Sequence, residues 1–71
     1  MDDLSIAVSK RLVELRKANG ISRRRLAKSV GVDYASACRW ESGTYCPSAF
    51  WLIRLADFYG CSVDKILGRT L

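Results

Sequence analysis

Apolar residues recur along the chain at helical spacing, in short blocks separated by glycines and polar residues. From about Asp3 to Ala18, Leu4, Val8, Leu12 and Leu15 fall within about 80° of one another on a helical wheel, a stripe expected to face a core. Ile6 and Val13 form a thinner strip about 100° or more away. The acidic Asp2 and Asp3 at the start and Arg16 and Lys17 near the end suit the helix dipole, and Asn19-Gly20 closes the block. Next, Ser22 is a candidate N-cap, Leu26, Ala27 and Val30 share one face, and Gly31 ends the helix. Val32 points inward and Asp33 offers another cap. Ala37 and Trp40 follow as inward positions before Glu41-Ser42-Gly43 stops the helix.

A loop containing Gly43 and the sole proline, Pro47, leads to Ser48, the expected cap of AFWLIRLADFY. In that helix Leu52, Leu55, Ala56 and Tyr59 make a core face with Ile53 close beside it, and Gly60 ends it. Ser62 caps a last short helix that buries Val63, Ile66 and Leu67. With no strand signal and no repeat, the expectation is an all-α, compact five-helix bundle.

The pair from Ser22 to Gly43, two short amphipathic helices joined through a turn containing Gly31, is the pattern of a helix-turn-helix. The second helix of such a pair enters the DNA major groove.

The length of 71 residues is that of one small domain, with its core expected between about residues 4 and 68. A hydrophobic fraction of 49% excludes a disordered tail, and a net charge of +5 favours polyanionic partners. Cys38, Cys46 and Cys61 form no CxxC spacing and the chain has no histidine, so no zinc site or other metal is expected. The odd count argues against a disulfide framework and for reduced thiols, with Cys61 as a small core residue. The start, MDDLSIAVSK, is not of signal-peptide type, and no apolar run approaches membrane-spanning length. A cytoplasmic protein without cofactor, small-molecule ligand or membrane partner is expected. No nucleophile is paired with a base, so catalysis is not.

The segment from about Val8 to Gly68 resembles the lambda-repressor/Cro-like helix-turn-helix domains of the XRE family. The resemblance is carried by RLVELRKANGIS, LAKSVGV, RWESG, the PS before the fourth helix, and LADFYGCSVDKILG, in that order. It implies a five-helix bundle that docks its third helix in the major groove, often as a symmetric homodimer on a palindromic operator in double-stranded DNA.

On that resemblance Arg16 and Glu41 form a partly buried salt bridge between the first and third helices. Base edges are read from Tyr34, Ala35, Cys38 and Arg39. Arg39 is the foremost reader, since a guanidinium bonds guanine O6 and N7 together. Ala35 offers only apolar contact with a thymine methyl, Tyr34 a phosphate bond or packing on that methyl, and the Cys38 thiol is a poor reader better suited to filling space. Arg23 matches the position from which relatives grip the DNA backbone. Arg24, Ser36 and the turn residues Ser42, Thr44 and Tyr45 are further phosphate candidates, and Arg25, Lys28, Lys10 and Arg11 add charge. Many relatives carry Gln at the positions of Arg23, Tyr34 or Ala35; this chain does not, so no relative's target sequence transfers to it.

Phe50 and Trp51 occupy positions that are mostly polar in relatives. They either extend the core or form a protein–protein surface, for homodimerisation through the fourth and fifth helices. The expected function is a sequence-specific DNA-binding transcriptional regulator, a repressor. The alternative is a protein-interaction module of the same fold, antitoxin-like or an antirepressor partner, acting through Phe50 and Trp51.

Overall fold

A computed structural model describes residues 3–69, and all regular structure among them is helical. The helices are α1 (Asp3–Ala18), α2 (Arg23–Val30), α3 (Tyr34–Ser42), α4 (Ala49–Tyr59) and α5 (Val63–Leu67). Asp2, expected to share the acidic start of α1, lies outside the described residues, as do both ends of the proposed 1–71 domain.

The helix boundaries follow from capping chemistry. The Ser22 hydroxyl accepts from the Arg25 N–H at 3.1 Å, the Asp33 carboxylate from the Ser36 N–H at 2.9 Å, and the Ser62 hydroxyl from the Lys65 N–H at 3.1 Å. Ser48 departs from expectation. Its carbonyl accepts the first helical bond, from the Leu52 N–H at 2.9 Å, but its hydroxyl makes no cap bond. At the other ends, Gly31 (φ 85°) and Gly43 (φ 82°) take the left-handed conformation that lets the chain reverse directly after α2 and α3. The N–H groups of Gly31 and Val32 both bond the Ala27 carbonyl, at 2.9 and 3.0 Å, which tightens the turn between the two helices.

Val8, Leu12, Leu26, Val30, Trp40, Leu52, Leu55, Ala56 and Ile66 form one contiguous core. α1 packs on α3 and α5, α2 on α3 and α4, and α4 on α5. Leu15, Val32, Cys61, Tyr59, Val63 and Leu67 pack around its margin, half-buried.

Two expected core positions are overturned. Leu4 is 50% exposed, because the inward face of α1 runs Ser5, Val8, Ser9 and Leu12, with Leu4 about 90° from its centre. The small serines occupy the inward sites, and the Ser9 hydroxyl is satisfied by the Ile6 carbonyl at 2.8 Å. Ile53 is 54% exposed, on the outer side of α4. The Phe50–Trp51 pair divides: Trp51 lies half-buried with its ring 5.6 Å from Trp40, extending the core, while Phe50 is 58% exposed and meets Trp51 edge-on at 4.9 Å.

Candidate nucleic-acid interface

α3 is nine residues long, and its inward positions are few. Ala37 and Trp40 are buried, which turns Tyr34, Ala35 and Arg39 to the surface and leaves Ser36 and Cys38 half-buried at the edge. At its C-terminal end Glu41 is drawn inward by charge. Arg16 Nε lies 2.8 and 3.0 Å from the two Glu41 oxygens, with side-chain exposures of 13% and 4%. The pair is not a two-nitrogen fork: Arg16 Nη1 instead donates to the Ile21 carbonyl at 2.9 Å. One guanidinium thereby ties α1, the turn before α2 and the end of α3 together.

Glu41 also faces Arg23, whose Nε lies 3.7 Å from Oε1 and whose Nη1 lies 3.8 Å from the Cys38 sulfur. Arg23 is the first residue of α2 and is exposed, so its guanidinium reaches across the base of α3 with its remaining donors toward solvent. Cys38 thus serves partly as packing for Arg23.

Beside this cluster, Val13, Arg16, Lys17, Arg23, Glu41 and Ser42 line an open notch of about 240 Å³. Three cations against one carboxylate give it a net positive charge. Lys17 follows Arg16 on the solvent side of the same helix end, and only the fold brings it beside Arg23 and Ser42.

At the other end of α3, Arg24 lies over the Tyr34 ring, 4.2 Å from its centroid. Arg39 approaches the Tyr45 ring at 6.0 Å. In the following turn, the Thr44 and Tyr45 N–H groups bond the Arg39 carbonyl at 3.1 and 3.3 Å, and the Ser42 and Thr44 hydroxyls are 2.8 Å apart. The Ser36 hydroxyl donates to Asp33 at 2.8 Å, so it is already engaged in the cap. That bond, followed by the Ser36 N–H, holds the Asp33 carboxyl below its usual value. Of the flanking cations, Arg25 and Lys28 are exposed on α2, Lys10 is exposed on α1, and Arg11 is half-buried with its guanidinium close to Gly68. None of the cysteines is in a disulfide, and no group of His, Cys, Asp and Glu among the described residues is arranged to hold a metal ion. No helix among the described residues is long and apolar enough to cross a membrane.

Residues 12–66 match the family model described as helix-turn-helix, a stretch that runs from the core of α1 into α5. The chain belongs to the helix-turn-helix family. This helix-turn-helix chain is 31% identical over 62 residues to the cryptic phage CTXphi transcriptional repressor RstR of Vibrio cholerae, covering 87% of the chain and 55% of RstR. It is 38% identical over 60 residues to the HTH-type transcriptional regulator YobD of Bacillus subtilis, covering 84% of the chain and 54% of YobD. It is also 32% identical over 69 residues to the HTH-type transcriptional regulator PuuR of Escherichia coli, covering 97% of the chain and 37% of PuuR. The chain therefore spans about half the length of RstR and YobD and less of PuuR. No solved structure matches it significantly. The matched proteins are named as transcriptional regulators, not enzymes.

Proposed function

We propose that the chain binds double-stranded DNA sequence-specifically and acts as a transcriptional repressor, two copies occupying a two-fold operator. The observation that carries this reading is the outward face of α3, with Arg39 on it and Arg23 and Arg24 of α2 held beside its two ends. An α-helix with its side chains is about 10–12 Å across, and a major groove about 12 Å wide admits it. Arg39 and Tyr34 are the base readers, with Ala35 against a thymine methyl and Cys38 at the edge of the contact. Arg23 and Lys17 seat one phosphate group at the notch beside Ser42. The exposed Ser42, Thr44 and Tyr45 turn meets the opposite strand, and Arg24 adds charge beside Tyr34.

The division of labour is physical. Phosphate contacts fix register and supply most of the affinity, whereas the few side chains at base edges supply the discrimination. Occupied DNA excludes polymerase, so no separate catalytic or sensing step is required. RstR, a repressor by name, is the relative that most directly supports this choice of sign.

Selection of bound duplexes from a randomised DNA pool tests the reading. The expected outcome is a palindromic consensus with half-sites about one helical turn apart. A pool that enriches no sequence overturns it.

A further inference from the structure

The outer side of α4 carries an apolar ridge that no other element covers among the described residues. Phe50, Ile53 and Phe58 are all exposed, and with Arg54 and Asp57 they share one arc of about 140° on the helix. A groove of about 360 Å³, lined by Ser29, Val30, Arg54, Asp57 and Phe58, runs beside the ridge.

The two charges on this ridge differ in how they are held. Arg54 Nε donates to the Val30 carbonyl at 3.0 Å, and its guanidinium lies 5.6 Å from the Phe50 ring centroid. Arg54 is therefore anchored in a fixed direction, with donors to spare. Asp57 is exposed, and no cation among the described residues lies within ion-pair distance of it.

We infer that this ridge pairs with the same ridge of a second copy, α4 against α4 in antiparallel register, with Arg54 of each copy meeting Asp57 of the other. The inference deepens the paired-copy part of the functional reading and rests on it. Its argument is the order of the charges. A two-fold axis level with the Leu55–Ala56 peptide brings position 54 of one helix opposite position 57 of the other, and does so twice. The patch is then complementary to itself, which an isologous interface requires. A parallel arrangement sets Arg54 beside Arg54 and Asp57 beside Asp57. A partner of single-sign charge opposes one of the two side chains. Phe50, Ile53 and Phe58 flank the charge pairs and exclude water from them, in the manner of interfaces whose aromatic residues surround a few fixed polar contacts. Trp51 takes no part, being turned toward Trp40.

Sedimentation equilibrium of the 71-residue chain, without DNA, tests the pairing independently of any operator. The expected result is an 8.0 kDa species giving way to one of twice that mass as concentration rises. Asp57→Arg sets arginine against arginine twice and leaves the Arg54–Val30 bond in place. It is expected to weaken association about tenfold or more, with DNA half-site binding unchanged. Mixing Asp57→Arg with Arg54→Asp restores both charge pairs in a mixed dimer, and each variant's helicity is checked by circular dichroism. Wild-type chain that stays monomeric throughout, or Asp57→Arg that associates as the wild type does, overturns the inference.

Discussion

Arg16 and Glu41, 25 positions apart, meet with one guanidinium nitrogen held between both carboxylate oxygens, and the same carboxylate lies 3.7 Å from Arg23. Glu41 therefore joins a structural task to a binding one: it fastens α3 to α1 and also orients a cation at the proposed DNA surface. Glu41→Ala leaves the Arg16 charge poorly compensated at a largely buried site. It is expected to cost about 3 kcal/mol in urea unfolding, and the double change Arg16→Met with Glu41→Leu less. A double variant as unstable as Glu41→Ala would refute this account.

Arg23 and Arg39 are expected to fail differently. Arg23→Ala, and Lys17→Gln with it, should weaken binding to all sequences alike, each lowering the slope of log affinity against log salt by about 0.9. Arg39→Ala should cost about 1–3 kcal/mol on the selected operator and relax preference at one base pair per half-site. Anisotropy titrations of operator and scrambled duplexes over a salt series separate the two patterns.

The neighbours Phe50 and Trp51 should separate sharply in thermal unfolding at concentrations where the chain is monomeric. Trp51→Ala removes a ring packed against Trp40 and is expected to cost about 3 kcal/mol. Phe50→Ser acts on an exposed ring and should stay within about 0.5 kcal/mol.

The Asp33 cap should give the acid limb of stability a specific component. The Ser36 hydroxyl, followed by the Ser36 N–H, depresses the folded-state pKa, so the folded chain binds this proton less readily than the unfolded one. The stabilisation is complete above the unfolded-state value of about 4 and is lost as pH falls through the lower folded value. Carboxyl NMR should find Asp33 titrating below an ordinary aspartate, and Asp33→Asn should remove that part of the acid dependence.

At the alkaline end the sign reverses. Burial, assisted by the Glu41 charge, pushes the Tyr59 phenol up to about 12. The folded chain thus holds that proton more tightly, and stability should decline as pH rises from about 10 to about 12. Tyr59→Phe should flatten the decline, as followed by circular dichroism.

The order and ends of the helices were legible because they rest on local chemistry: a serine or aspartate at the start, a glycine at the stop, apolar residues at helical spacing between. Leu4 and Ile53 look like core positions on a wheel, which ranks positions by hydrophobicity alone. It does not register that Ser5 and Ser9 take the inward sites of α1, nor that one side of α4 has no neighbour to bury it. Phe50 and Trp51 were indistinguishable in sequence, since adjacent aromatics differ only in rotation about the helix axis. Lys17 gained significance from its proximity to Arg23 and Ser42, which belong to other helices.

α3 is fastened through Ala37, Trp40 and Glu41, while Tyr34, Ala35, Cys38 and Arg39 project from the opposite side or the edge. Anchorage and the proposed reading are thus written in separate letters of the same nine-residue word. On the proposed reading, substitutions at the outward letters change the DNA sequence bound while the scaffold beneath stays as it was.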